Sequence, residues 1–234
     1  MNSVTWKISI RNLLKNRTST LINILGLSLG FSAFMVIALF IKHELAWDKS
    51  NANYDRMYRV QRHYAKTLHA MDGNDISPHS RAITAQLLEK QFPEIDKATV
   101  MRENRGKFLA SHPEKQVYEE SGICADSCYF EVFTYHFLEG RAENALVDPF
   151  NIVLSKTMAE KLFRGESALG QTVILEKKFD LKVVGVYADL PDNWTIRPEY
   201  IVSFSTLAQT DNITRSNIRS GDCMTFVLLK PGTD

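Results

Sequence analysis

The chain has 234 residues, of which 28 are lysine or arginine and 27 are aspartate or glutamate. This balance lacks the basic excess of a nucleic-acid-binding protein, so we expect no nucleic acid as a partner. The length supports one globular domain or two small lobes, and three cysteines are too few and too irregularly spaced for a disulfide framework, although Cys124 and Cys128 are close enough in sequence for one bridge.

The first element is an uncharged, mostly apolar run of 24 positions at residues 18–41. As a helix rising about 1.5 Å per residue it reaches about 36 Å, whereas a bilayer core is about 30 Å thick. A signal peptide would have an apolar region of about 7 to 15 residues and a small-x-small cleavage site, which does not follow this run. A buried helix of a soluble protein is disfavoured because the basic flank is one-sided. We therefore predict a transmembrane helix over residues 18–46.

The flanks of this helix indicate its orientation. Residues 1–17 carry four cations and no acid, namely Lys7, Arg11, Lys15 and Arg17. The residues directly after the helix mix both signs of charge. By the positive-inside rule, residues 1–17 are then cytoplasmic and residues 47–234 form an extracytoplasmic domain. The pattern of residues 4–14 predicts an amphipathic helix lying on membrane lipid, with an irregular charged flank as the alternative.

Within the predicted span, small or polar residues recur at steps of three and four. They are Asn23, Gly26, Gly30 and Ala33. Lipid gains nothing from such a stripe, whereas a second helix does, because small residues let two backbones approach closely. We therefore expect these four residues to pack against another helix. Either the anchor dimerises, or its helix partners lie in sequence outside this chain, which has no second apolar run of spanning length.

Beyond the span, strands and short helices alternate without a strict βα rhythm. The predicted strands are residues 57–65, 98–103, 116–125, 152–154, 172–175, 180–187, 200–204 and 223–229. The predicted helices are residues 77–92, 126–133 and 155–163, the last of them capped by Ser155. This order predicts an α+β fold, in which one transmembrane helix precedes a mixed α/β domain.

Three motifs resemble sites of chemistry and fail on inspection. Residues 165–172 look like a phosphate-binding loop, but Gln171 replaces the lysine and the loop leaves a helix for a strand. His43 and Glu44 begin a zinc-protease motif whose second histidine is Trp47. The motif at Ser167 lacks the final glycine of a nucleophile elbow. We therefore expect no enzyme activity, no cofactor and no catalytic or metal site.

A series of short motifs occurs in order along the chain. They are Trp47-Asp48-Lys49, the strand YDRMYRV at 54–60, QFPE at 91–94, YFEVF at 129–133, FLEG at 137–140, NIVLS at 151–155, LGQT at 169–172 and VVGVYADLP at 183–191. This ordered series resembles the MacB/FtsX-like ABC-transporter permeases, especially the large export permeases of Bacteroidota. The resemblance implies a MacB-like periplasmic core domain inserted between the first two transmembrane helices. Gly165, Gly170 and Gly185 then read as scaffold, the last allowing close backbone approach inside a strand.

The resemblance also implies a function. In such permeases a cytoplasmic ATPase subunit drives the membrane helices, which move the periplasmic domain during export or efflux. The implied partners are that ATPase subunit, a second permease copy, membrane lipid and a periplasmic partner protein, all at the bacterial inner membrane. Family members have at least four transmembrane helices, so we expect this chain to be the N-terminal part of a permease and not to transport alone. The alternative is a single-span, membrane-anchored periplasmic sensor or interaction domain, which would need no partner stripe on its helix.

Overall fold

The computed structural model describes residues 11, 15–63, 76–104, 106–112, 115–119, 121–210 and 222–233. The chain divides into two compact units, Met1–Trp47 and Asp48–Asp234. The predicted interfacial helix falls on residues 4–14, of which only Arg11 is described, so it lies essentially outside the described residues and stays a prediction.

The first unit contains one long helix, α1, at Arg17–Glu44. It buries none of its residues within the structure and is the one helix, among those described, that is long and apolar enough to cross a membrane. The Ser28 hydroxyl donates to the Ile24 carbonyl at 2.7 Å, and the Ser32 hydroxyl donates to the Ser28 carbonyl at 2.8 Å. Because these hydroxyls bond within the helix, they add little to the cost of placing it in lipid.

The second unit, called here the core domain, is built on a large sheet with short helices. Its strands are β1 (Met57–Val60), β2 (Arg62–His63), β3 (Ile76–Ser77), β4 (Ile95–Glu103), β5 (Lys107–His112), β6 (Lys115–Glu119), β7 (Gly122–Ala125), β8 (Phe137–Gly140), β9 (Asn151–Ser155), β10 (Thr172–Leu175), β11 (Phe179–Tyr187), β12 (Tyr200–Ser203) and β13 (Cys223–Leu229). Its α-helices are α2 (Thr84–Gln91), α3 (Tyr129–Val132), α4 (Lys156–Phe163) and α5 (Ser205–Thr210), and a 3₁₀ turn spans Tyr54–Arg56.

Eleven strands form one mixed sheet in the order β1-β13-β4-β7-β12-β9-β11-β10-β5-β6, with β8 also paired to β11. The β7–β12 and β9–β11 pairs are parallel and the other pairs are antiparallel. The small β2–β3 ladder is separate. Because both parallel and antiparallel pairs occur and the helices are irregularly placed, the predicted α+β fold class is confirmed.

The sheet is apolar on both faces. Val227 belongs to one hydrophobic cluster, with the inward faces of α2 and α4, whereas Phe226 belongs to a second, aromatic cluster. Successive residues of a strand point to opposite faces, so β13 reads as a nearly continuous apolar run. Of the cysteines, Cys124 and Cys223 are buried thiols and Cys128 is a half-buried thiol, so the structure places packed thiols where the sequence left one bridge open.

Several predicted elements are confirmed with small shifts. β10 and β13 have the predicted bounds, β11 and β12 differ from prediction by one residue at one end, and β9 is longer than predicted by one residue at each end. The Ser155 side chain accepts a hydrogen bond from the Met158 amide at 3.0 Å, so the predicted cap of α4 is confirmed. The predicted strand at residues 116–125 is wrong as a single element, because it forms β6 and β7.

The predicted start of the second helix is also wrong. Ser77 does not cap a helix; it pairs with Arg62 in the β2–β3 ladder, and Ser80 bridges to Cys223. α2 therefore begins only at Thr84, although it ends at Gln91, close to the predicted stop. The predicted strand at 57–65 breaks at Gln61, because β1 and β2 pair with different partners. β5, β8 and α5 were not predicted.

Candidate functional site

Residues 48–56, called here the junction segment, follow α1 in the chain and lead into β1. Asp48 adopts a left-handed backbone conformation with φ +57°. Its amide donates to the Asn193 carbonyl at 2.9 Å, and its two carboxylate oxygens accept from the amide and hydroxyl of Thr195 at 2.8 and 2.5 Å. The indole of Trp194 donates to the Ser50 hydroxyl. These four bonds fasten the start of the junction segment to residues 193–195.

The middle of the junction segment is fastened by Asn51, whose side chain is only 3% exposed. Its side-chain oxygen accepts from the Asn53 amide at 3.1 Å and from the hydroxyl and amide of Thr134 at 3.1 and 3.4 Å. Removing this buried carbonyl oxygen would cost three donors their protein partner, and each lost bond costs about 0.5–1.5 kcal/mol.

The end of the junction segment is fastened by Asn53 and Arg56. The Asn53 side-chain amide donates to the Glu131 and Val132 carbonyls, both at 3.0 Å, where α3 ends. One Arg56 nitrogen donates to the Leu229 carbonyl at 2.8 Å and the other to the Asn53 side-chain oxygen at 3.3 Å. Leu229 is the last residue of β13, so Arg56 ties the start of β1 to the end of β13.

Strand pairing repeats this link. β1 and β13 are antiparallel neighbours, with Met57 opposite Leu228 and Val60 opposite Thr225. The point where the chain enters the sheet therefore lies beside the point where β13 leaves it. The junction segment therefore adjoins both strands.

Hydrogen bonds and ring contacts connect the side chains of the aromatic cluster, which lies next to the junction segment. The hydroxyls of Tyr129 and Tyr135 are 2.9 Å apart, and the Tyr187 hydroxyl donates to the Pro198 carbonyl. Burial raises the pKa of Tyr129, Tyr135 and Tyr187 well above the ordinary tyrosine value, so all three are neutral in the folded domain. Trp194, which holds Ser50, packs edge-on against Tyr135 with ring centroids 5.7 Å apart.

A cavity of about 300 Å³ opens beside the junction segment. Its apolar walls come from Met57, Phe133, Trp194, Ile196 and Phe226. Its charged groups are Asp48 and Arg59. The structure thus places an apolar cavity with one cation and one anion where the junction segment meets the aromatic cluster.

The loop that resembles a phosphate-binding motif has a different use. It leaves α4 and enters β10, as predicted, with Gly165 and Gly170 at φ +89° and +80°. The Glu139 carboxylate accepts from the Ser167 hydroxyl at 2.6 Å and the Leu169 amide at 3.3 Å, while Gln171 donates to the Ser167 carbonyl at 2.6 Å. An anion of the protein itself therefore occupies the loop's donors. Within the described ranges, no three His, Cys, Asp or Glu side chains converge in a way that would hold a metal ion.

The helix-packing residues Asn23, Gly26, Gly30 and Ala33 all lie in α1, where a helix of 3.6 residues per turn places them on one face. Nothing lies within 4 Å of the positions that a Cβ would take on the two glycines. Their packing role stays a prediction. The sequence did not single out the junction segment as a site, because Asn51 and Asn53 bond to residues about 80 positions away.

The family described as the MacB-like periplasmic core domain matches residues 20–234. This chain belongs to that family. The predicted resemblance is therefore confirmed, and the chain is homologous to the periplasmic domains of ABC-transporter permeases. No curated protein matches the chain significantly.

Three solved structures share the fold of this MacB-like domain. A domain assigned to a permease from Porphyromonas gingivalis superposes with a TM-score of 0.65 at 18% identity, covering 79% of each chain. The periplasmic region of MacB from Actinobacillus actinomycetemcomitans gives a TM-score of 0.54 at 19% identity, covering 76% of this chain and 77% of that one. The extracellular domain of the noncanonic ABC-type transporter YknZ from Gram-positive bacteria gives 0.54 at 18% identity, covering 75% and 84%.

Proposed function

We propose that this chain belongs to the permease subunit of an ABC transporter and passes ATP-driven motion from its membrane helix to a periplasmic domain for export. The junction segment carries this proposal. It follows the membrane helix in the chain, and its contacts with residues 193–195, Thr134, the end of α3 and the end of β13 fasten it to the rest of the core domain. A flexible tether would need none of these bonds.

Several hydrogen bonds resist movement of the junction segment relative to the rest of the domain. Each ordinary hydrogen bond contributes about 0.5–1.5 kcal/mol net, and a buried donor left without its partner costs about 1–3 kcal/mol. Several such bonds act on nine residues, and the β1–β13 ladder extends them into the sheet. A pull on the segment is therefore more easily met by movement of the whole core domain than by local unfolding.

The proposal includes location and partners. Residues 1–17 lie in the cytoplasm, residues 18–46 cross the inner membrane, and residues 47–234 form the periplasmic core. A cytoplasmic ATPase subunit supplies the energy, a second permease copy completes the transporter, and a periplasmic protein receives the motion or the substrate. The subunit itself has no enzymatic role. The positive-inside charge bias and the family membership support this arrangement.

A flexible insertion tests the transmission. Three Gly-Ser repeats are placed between Trp47 and Asp48. This variant should fail to complement a host deletion strain that the wild-type gene complements, at equal membrane abundance. The matched control carries the same insertion between Gly165 and Glu166, in an exposed loop, and should retain function. A junction insertion that works as well as the wild type would refute mechanical transmission. Complementation by the wild-type gene in a strain that lacks the ATPase gene would favour the alternative function, a membrane-anchored sensor domain.

The stripe on α1 has its own test. The double change Gly26→Leu and Gly30→Leu should leave membrane insertion intact, because leucine is more apolar than glycine. It should reduce recovery of the ATPase subunit with the tagged permease by about tenfold or more, since contacts between membrane helices contribute roughly 0.6–2 kcal/mol each. Ser28→Leu with Ser32→Leu adds similar bulk to another face and should have little effect. Equal recovery with both double variants would show that the stripe faces lipid.

A further inference from the structure

Arg59 is the feature of the cavity that the proposed function does not use. It lies on β1, opposite Phe226 in the ladder, and lines the cavity beside the junction segment. Its side chain is exposed, and among the described residues no hydrogen bond, ion pair or ring contact involves its guanidinium. Its neighbour Arg56, by contrast, is bonded to Leu229 and Asn53. Arg59 is thus a charged donor available to something outside the chain.

Two other polar groups of the cavity, Asp48 and Asn51, already have partners within the domain. Both oxygens of Asp48 accept from Thr195, and the side-chain oxygen of Asn51 accepts from Thr134 and Asn53. A ligand cation would meet a carboxylate that already accepts two hydrogen bonds, whereas a ligand anion meets an uncommitted guanidinium. Arginine binds carboxylates through a planar, bidentate fork that gives geometric specificity as well as affinity.

The walls and the volume of the cavity limit the rest of the ligand. Met57, Ile196 and Phe226 present apolar surface. A cavity of about 300 Å³ lies at the lower end of the range of ligand pockets, about 300–1,000 Å³, so it suits a small molecule. We propose that this cavity binds a small apolar carboxylic acid, with the hydrocarbon on the apolar walls and the carboxylate on Arg59.

Such a ligand would contact both sides of the site. Asp48, Asn51 and Tyr54 come from the junction segment, whereas Ile196 and Phe226 come from other parts of the core domain. A molecule that fills the space between them stabilises the state in which the junction segment is hydrogen-bonded to the rest of the domain. This follows because a ligand that binds one state preferentially shifts the equilibrium toward that state. The site is therefore a point at which a periplasmic small molecule can regulate the transmission proposed above, while its binding does not depend on that transmission.

The test uses 4-phenylbutyrate, which has ten carbons, and the full chain in lipid nanodiscs, with empty nanodiscs as the background. Binding is measured by saturation-transfer NMR and titration, alongside 4-phenylbutanol and 4-phenylbutylamine. We expect the acid to bind most tightly. Arg59→Gln should weaken the acid by about tenfold or more, the worth of a charge-assisted bond, and leave the alcohol unchanged. Arg81→Gln, a change at an exposed arginine outside the cavity, is the matched control and should change nothing.

A second variant addresses the walls. Ile196→Trp fills the cavity and should abolish binding of both the acid and the alcohol, while the protein keeps its near-UV circular dichroism. Hydrogen exchange of residues 48–56 should slow when wild-type protein is saturated with the acid. Tighter binding of the amine, or an acid affinity unaffected by Arg59→Gln, overturns the proposal. Neither result bears on the insertion experiment, so failure of this site and failure of the transmission are distinguishable.

Discussion

Replacing Gly140 by alanine should destabilise the core domain by about 2–5 kcal/mol, because two costs add. Gly140 has φ +75°, where an L side chain costs about 1–2 kcal/mol. An added Cβ would also lie 2.3 Å from the Val184 carbonyl oxygen and 2.9 Å from the Cα of Gly185, its partner in the β8–β11 ladder. These atoms are backbone and cannot rotate away, so the strands must separate, at a typical overpacking cost of about 1–3 kcal/mol. Urea unfolding followed by near-UV circular dichroism measures the loss.

The matched controls are Gly165→Ala and Gly170→Ala. Both glycines have positive φ, but nothing lies within 4 Å of the added Cβ. Each should therefore show only the conformational cost of about 1–2 kcal/mol. A Gly140→Ala protein no less stable than these controls would contradict the close approach of β8 and β11.

The second large effect is alkaline unfolding. Burial raises the folded-state pKa of four tyrosines, Tyr129, Tyr135, Tyr187 and Tyr200, above the unfolded value of about 10. The stability that their neutral forms contribute is therefore fully present below about pH 10. It is lost as the pH rises toward the folded pKa, because the unfolded chain releases protons that the folded domain retains. Each tyrosine accounts for about 1.4 kcal/mol per pH unit, so the four together remove roughly 5 to 6 kcal/mol per unit.

This slope is steep against a typical total stability of about 5–15 kcal/mol, so the domain should unfold cooperatively within a few pH units above 10. Tyrosinate absorbance at 295 nm from the buried rings should appear together with the loss of near-UV circular dichroism. Tyr135→Phe lowers the stability at neutral pH, because the bond to Tyr129 is lost, but should reduce the alkaline slope by about a quarter. An unchanged slope in this variant would show that Tyr135 ionises while folded.

The elements predicted well are those governed by neighbours in sequence. The Ser155 cap depends only on the Met158 amide, three residues further along the chain. β13 is a nearly continuous apolar run because both faces of the sheet are covered. The early start predicted for α2 fails for the opposite reason. Ser77 has a local capping pattern, yet pairing with Arg62 and the Ser80–Cys223 bridge outweigh it.

The candidate site could not be predicted because its roles are assigned by distant partners. In the sequence, Asp48 is one of several charged residues, and its role depends on a hydrogen bond from Thr195, 147 positions away. Arg56 likewise gains its role from Leu229. The sequence motifs around residues 47–60 indicated the family, and family membership carries no information on which of their side chains bond to the core.

The position of β13 between β1 and β4 sets the order in which the domain can be completed. Among the described strands of the large sheet, β1 has no other partner, and β4 would expose an open edge without β13. Until residues 223–229 are present, β1 is therefore unpaired and β4 is paired on one side only. Pairing across so large a sequence separation is slow, and unpaired edges of this kind aggregate. Folding of this domain thus has a vulnerable interval that ends when β13 pairs with both strands.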